Sequence, residues 1–226
     1  MPTSANALAV MAKAPVAGLV KTRLMPALDE KQAAELYRAL LMDQLEHLTA
    51  LSIADLYVAF TPGEAIQMIE NLAPARYHCF AQSGGDLGDR MQEVLAELRR
   101  RGHRNTIVLG SDLPPVPLTA LQEAFNRLSA DRKRVVLGPT QDGGYYLIGM
   151  NQPIPELFRG MSWSHQRVLA DTTEKLRQLG IDFCLLLEWF DVDTAEDIDR
   201  LRAIRDPLTR AAMKRTLAFV EQIVVR

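Results

Sequence analysis

Along the chain, short apolar runs alternate with longer stretches in which apolar residues recur every three to four positions. The short runs predict strands over residues 8–12, 53–60, 77–80, 106–110, 135–138, 145–150 and 183–189. Within residues 30–50, Ala33, Tyr37, Leu40, Leu41, Leu45 and Leu48 form a stripe with helical period. Leu118, Leu121, Phe125 and Leu128 form another behind Pro117, a residue tolerated in the first turn of a helix. A last helix begins near Pro207, its buried face marked by Met213, Leu217, Val220 and Val224.

Strands alternating with helices imply βαβ units, hence an α/β fold with a mainly parallel sheet and helices on both faces. No linker, composition shift or internal repeat divides the 226 residues, so a single domain is expected. Sheets of this kind take ligands where strand carboxyl ends meet helix amino termini. Candidate chemistry is therefore sought in the segments that follow strands.

Composition narrows the ligand class. Apolar residues make up 48% of the chain and charged residues 24%, with a net charge of −2 and the two signs interspersed. That balance argues against a nucleic-acid surface, which carries a basic excess, and leaves small anionic ligands open. Cys79 and Cys184 stand far apart, outside any metal-binding spacing, which fits a reducing compartment. The amino terminus has no leader pattern, and no apolar run reaches the ~18 residues that cross a bilayer. A cytoplasmic enzyme without a membrane span is expected, its oligomeric state open.

Four segments carry candidate chemistry. Residues 13–24 (KAPVAGLVKTRL) follow the first strand and gather Lys13, Lys21 and Arg23 around a flexible Ala-Gly stretch, a composition suited to phosphate. A P-loop is excluded, because Val20 stands where that motif needs glycine. Residues 108–117 (VLGSDLPPVP) end a strand at Asp112, and Pro114 keeps Leu113 out of the helical region. Asp112 is thus expected on an extended strand edge, either as a metal ligand or as a turn former. In residues 190–197 (FDVDTAED), Asp191 and Asp193 alternate with Val192 and so share one side. A helix cap there would use Thr194 and Asp197 and leave Asp193 free. Residues 138–149 (GPTQDGGYYLIG) hold Asp142, Gly143 and Gly144, either a hairpin turn or a floor beneath a substrate.

A fifth segment, residues 82–90 (QSGGDLGDR), opens a helix where a base or phosphate could lie, or forms a surface loop. His47, His78, His103 and His165 have no metal spacing and read as core or surface histidines. His165 is set apart by the polar-aromatic cluster 162–165 (SWSH), which could flank an acceptor pocket or merely support the next helix.

Taken together, these motifs resemble known proteins. VKTRL with Lys13 resembles the phosphate-binding loop of 2-phospho-lactate guanylyltransferases. SDLP resembles the metal-binding strand end of GT-A transferases, and DVDTAED the metal-binding segment of sugar cytidylyltransferases. Their order, with GDLGDRM and DGGYYLIG, is most similar to small bacterial GT-A-like glycosyltransferases of the radical-SAM-associated or arsenosugar-biosynthesis type. The resemblance spans residues 9–201 and implies a nucleotide-diphospho-sugar transferase fold, a mainly parallel mixed sheet flanked by helices.

It also implies roles. Asp112 and Asp193 would hold Mg²⁺ or Mn²⁺; Lys21, Arg23 and Asp112 would serve catalysis. Ala12, Lys13 and Gly18 would line the nucleotide site, Gln82 and Gly85 would lie near the base, and Asp142, Gly143 and Gly144 would face the sugar or acceptor. The chain departs from the pattern in lacking a GxGxR opening and a DxD triplet at Asp112. The expected partners are a nucleotide or nucleotide-sugar and a small acceptor. Metal-dependent glycosyl transfer ranks first from the whole-chain resemblance, nucleotidyl transfer with release of pyrophosphate second from VKTRL, and a non-catalytic nucleotide-binding protein third.

Overall fold

The computed structural model describes residues 3–25 and 27–223. Seven strands form one sheet: β1 (Asn6–Lys13), β2 (Asp55–Thr61), β3 (Tyr77–Ala81), β4 (Asn105–Gly110), β5 (Arg134–Pro139), β6 (Tyr145–Met150) and β7 (Asp182–Leu185). Their spatial order is β3-β2-β1-β4-β6-β5-β7. All neighbours pair in parallel except β6, which runs antiparallel between β4 and β5. The reason lies in the connection. Only a short turn joins β5 to β6, and a parallel crossover needs a dozen or more residues.

Nine helices are described: α1 (Glu30–Leu48), α2 (Ile66–Leu72), α3 (Leu87–Arg100), α4 (Leu118–Leu128), α5 (Pro155–Phe158), α6 (Val168–Gln178), α7 (Ala195–Ala203), α8 (Pro207–Ala212) and α9 (Lys214–Gln222). Asp29 starts α1 by accepting from the Gln32 amide while its own amide donates to the Gln32 side chain. Alternation along the strands then sorts the core. Leu8, Val10, Val58, Phe60, Ile107 and Leu109 face α1 and α4, while Ala7, Ala9, Tyr57, Ala59 and Val108 face α3, α5 and α6. A third apolar cluster packs Leu36 and Leu40 of α1 against α7 and α9 through Ile198, Leu201, Leu217 and Val220.

Two elements differ from the sequence pattern. Residues 183–189 form a strand only to Leu185, followed by an isolated bridge between Trp189 and Thr140. Beyond Leu185 the contact with β5 continues through single backbone bonds, from the Leu186 amide to the Leu137 carbonyl at 2.9 Å and from the Trp189 amide to the Pro139 carbonyl at 3.0 Å. The helix begun at Pro207 breaks at Met213. Asp43 of α1 accepts from the amides of Arg215 and Thr216 and so caps a fresh helix, α9. Met213, Leu217 and Val220 are buried as expected, and Val224 lies outside the described residues. Among the described residues, no helix is long and apolar enough to cross a membrane.

Candidate active site

The carboxyl ends of β1, β2 and β4, the β5–β6 hairpin and the segment after β7 surround a cleft of about 700 Å³. Of the residues singled out from sequence, Ala12, Lys13, Arg23, Gln82, Gly85, Asp112, Asp142, Gly144 and Asp193 line it. Lys21 lies beneath, its side chain only 2% exposed. Gly18 and Gly143 are not among the lining residues. Gly18 turns the chain at φ +79°, near Glu30. Gly143, at φ +87°, leaves room for the Gln166 carbonyl, which would lie 1.9 Å from a Cβ at that position.

Lys21 joins segments far apart in sequence. It adopts a left-handed conformation (φ 50°, ψ 37°) at the start of the turn Thr22–Leu24, which sends its side chain inward. Its Nζ lies 2.9 Å from Asp112 Oδ1 and 3.3 Å from Asp193 Oδ1, and donates to the Asp112 carbonyl at 3.2 Å. Burial works against the lysine's charge, but the two carboxylates prevail and raise its pKa. Arg23 holds the other Asp193 oxygen at 3.0 Å. The Val192 amide donates to the Asp112 carbonyl at 2.8 Å, which ties the post-β7 segment to the end of β4.

The extended edge expected for Asp112 is a bend instead. β4 ends at Gly110, and residues 111–114 curve away under the constraint of the proline pair. The alternation read at 191–193 holds, since Val192 is fully buried and both aspartates line the cleft. Asp197 caps α7 by accepting from the Asp193 and Thr194 amides, which leaves the Asp193 carboxylate to Lys21 and Arg23. Asp191 is the third carboxylate. Burial, reinforced by Asp112 and Asp142, pushes its pKa up to about 7 against the opposing pull of Lys21.

No group of three or more acidic, histidine or cysteine side chains among the described residues is arranged to hold a metal. A two-carboxylate set nevertheless fits Mg²⁺ or Mn²⁺, because such an ion typically takes one or two protein carboxylates and completes its shell with phosphates and water. Asp112 and Asp193 already converge on one cation, the Lys21 ammonium, and their donor atoms are hard oxygens.

The β5–β6 turn serves structure and lines the cleft. Asp142 Oδ1 accepts from the Thr140 hydroxyl at 2.6 Å and the Gly144 amide at 3.1 Å. Gly143 carries the loop 161–167 on its backbone, and its carbonyl accepts from the Leu169 amide at 2.9 Å. On the other side of that loop, Trp163 lies against Gly88, where a Cβ would come within 2.4 Å of the ring. His165 is saturated. Its Nδ1 accepts from the Arg167 amide, so Nε2 carries the proton and faces the Ser162 carbonyl at 3.0 Å.

Sequence reasoning missed Tyr37 as a site residue. Its hydroxyl accepts from the Lys13 amide at 2.9 Å and bonds Ser111 Oγ at 2.8 Å, and so joins the ends of β1 and β4. Gln44 assists by donating to the Gly110 carbonyl at 2.9 Å. The signal was faint: one hydroxyl and one amide in the buried stripe of α1. Gln82 reaches the opposite flank, its Nε2 donating to the Ala59 and Ala12 carbonyls at 2.7 and 3.3 Å.

Known proteins share this arrangement of the chain. A protein described as a nucleotide-diphospho-sugar transferase from Desulfovibrio desulfuricans G20 is 32% identical, with a TM-score of 0.86 over 97% of this chain and 98% of that one. A phosphoenolpyruvate guanylyltransferase from Rhodococcus erythropolis (strain PR4 / NBRC 100887) is 27% identical over 218 residues, 88% of this chain and 92% of its own. A Mycobacterium tuberculosis H37Rv protein solved in complex with manganese shares the fold at 16% identity and a TM-score of 0.50, over 89% of this chain and 100% of that one. The expected nucleotide-diphospho-sugar transferase fold is therefore the observed one, and the expectation of a transferase agrees with these relatives. Residues 44–165, more than half of the chain, match the model of a family described as an uncharacterized protein conserved in bacteria, and the chain belongs to that family, DUF2064.

Proposed function

We propose that this protein is a metal-dependent nucleotidyltransferase that moves a nucleoside monophosphate from a triphosphate onto a small phosphorylated acid and releases pyrophosphate. The observation that carries the proposal is the Asp112–Lys21–Asp193 bridge at the cleft, on a chain related along 88% of its length to a phosphoenolpyruvate guanylyltransferase. In this reading the acceptor's phosphate oxygen attacks the α-phosphorus, a new P–O–P linkage forms, and the α–β anhydride breaks. Negative charge grows on the departing pyrophosphate.

The residues divide that work. Lys13 and Arg23, both lining the cleft, bind phosphate oxygens and neutralise the growing charge. Asp112 and Asp193 would hold Mg²⁺ or Mn²⁺, which would supply Lewis-acid charge neutralisation for the phosphates. Lys21 keeps those carboxylates together and limits their repulsion. Tyr37 ties the Lys13 amide to the Ser111 hydroxyl, so the two strand ends present their groups at constant separation. Ala12, Gln82 and Gly85 form the wall against the base, while Asp142 and Gly144 border the acceptor.

Glycosyl transfer is the second reading, favoured by the 32% identical relative described as a nucleotide-diphospho-sugar transferase. The same cleft would then serve a nucleotide-sugar, with a nucleoside diphosphate leaving from the anomeric carbon. Product analysis separates the two. The protein is incubated with Mg²⁺ and either nucleoside triphosphates plus small phosphorylated acids, or nucleotide-sugars plus the same acceptors. Pyrophosphate formed in step with consumption of the acceptor is expected. Nucleoside diphosphate released from a nucleotide-sugar, with no pyrophosphate from any triphosphate, would replace the first reading by the second.

A further inference from the structure

We infer that the acceptor is a small phosphorylated carboxylic acid whose carboxylate is held by the Arg90 guanidinium, a statement that rests on the nucleotidyl-transfer reading above. The cleft has two unlike parts. Its β1 side carries Lys13, Thr61 and Gln82, whereas the part beneath the loop 161–167 is walled by Leu87, Met91, Tyr145, Ile148 and Trp163. Arg90, on the second turn of α3, brings a full positive charge to this apolar wall.

Arg90 differs from the other arginines of its helix and of the helix end. Arg99 donates to the carbonyls of Arg104 and Asn151 at 3.0 and 2.9 Å. Arg100 pairs with Glu97 at 3.0 Å, and Arg101 pairs with the same residue at 2.7 Å while lying over the Tyr57 and Phe80 rings. Arg90 has no ion pair and no side-chain hydrogen bond among the described residues, although it is half-buried. The nearby polar groups do not answer it. His165 uses both ring nitrogens within its own loop, and the Trp163 indole N–H is itself buried without an acceptor among the described residues.

A guanidinium on an apolar wall selects a planar, bidentate anion attached to a small hydrocarbon body. The reacting phosphate has to lie beside Asp112 and Asp193, which sit after β4 and β7 rather than on α3. Arg90 therefore takes the group that does not react, and thereby orients the one that does.

The test compares phosphoenolpyruvate with isopropenyl phosphate, in which a methyl group replaces the carboxylate. Calorimetry measures both on the intact protein and on its Arg90→Ala and Arg90→Lys variants, with GTP and Mg²⁺ as a control ligand. The intact protein is expected to bind phosphoenolpyruvate at least tenfold more tightly than isopropenyl phosphate. Arg90→Ala should bind the two alike, Arg90→Lys should recover part of the difference, and GTP affinity should stay within twofold. Equal binding of the two phosphates by the intact protein overturns the inference, as do absence of phosphoenolpyruvate binding and a preference that survives in Arg90→Ala. Loss of GTP along with phosphoenolpyruvate would overturn it too, by assigning Arg90 to the nucleotide. Failure of nucleotidyl transfer itself is read separately, from pyrophosphate release.

Discussion

The two ends of the sheet are built from the same strands, yet they treat charge in opposite ways. At the amino ends, buried polar side chains are tied to neighbouring backbone and side-chain groups. Asn151 donates to the carbonyls of Leu128, Ala130 and Arg132 and accepts from the Arg134 amide. His103, 2% exposed, donates to the Ser4 carbonyl at 2.9 Å and accepts from the Tyr57 hydroxyl at 2.7 Å. At the carboxyl ends, Asp112 and Asp193 share one buried lysine, and burial together with Asp112 and Asp142 drives Asp191 toward its neutral form. Groups that satisfy one another hold a fold together. Groups left in electrostatic excess await a ligand.

Substitutions at the two ends should therefore separate binding from stability. The largest effect is expected for Asp112→Asn and Asp193→Asn, which remove charge where a metal–nucleotide complex would sit. Metal-dependent GTP affinity, measured by calorimetry, should fall about a thousandfold, or ~4 kcal/mol. The melting temperature should fall modestly, because buried Lys21 keeps only one of the two carboxylates that offset its burial. Unchanged affinity in both variants would remove these residues from the site.

Asn151→Ala makes the converse case. It strands one amide and three carbonyls at a buried position and should cost about 3 kcal/mol in denaturant unfolding, with nucleotide affinity unaltered. Tyr37→Phe falls between the two, because it packs as before but releases the Lys13 amide and the Ser111 hydroxyl. A loss of about 1 kcal/mol in stability and roughly fivefold in GTP affinity is expected. A stability loss without any binding loss would show that the strand ends keep their spacing unaided.

The smallest effect concerns pH. Burial of Asp55 works against its charge, but hydrogen bonds from Thr3 and Ser4 outweigh it and hold the carboxyl below the ordinary aspartate value. A depressed carboxyl stabilises the fold above the unfolded-state value and loses that contribution as pH falls through the folded-state value. Asp55→Asn should therefore be less stable than the parent at pH 6, and the gap should close in thermal melts below about pH 4. A constant gap would deny the carboxylate this role.

Much of this contrast was legible in the sequence. Short apolar runs located the seven strands, because helices cover both faces of the sheet and bury both sides of each strand. The segments after β1, β4 and β7 were found through residue types that phosphate and metal chemistry require. Three features were not readable. The reversed direction of β6 depended on a turn whose Asp-Gly-Gly suited a substrate floor equally well. The break at Met213 depended on Asp43, 170 residues earlier, capping α9 across the molecule. Tyr37 and Arg90 were hidden by their settings, one within an apolar stripe and the other in an ordinary charged helix. Their roles come from tertiary proximity, which local pattern does not encode.

The most direct measurement is electron paramagnetic resonance of Mn²⁺ titrated into the protein with GTP, compared with Asp112→Asn and Asp193→Asn. A ternary protein–Mn²⁺–GTP signal is expected that is distinct from free Mn²⁺–GTP and disappears in both variants. A spectrum identical to free Mn²⁺–GTP in the parent protein, or a ternary signal that persists in both variants, would contradict the claim that the paired aspartates form the metal-nucleotide site.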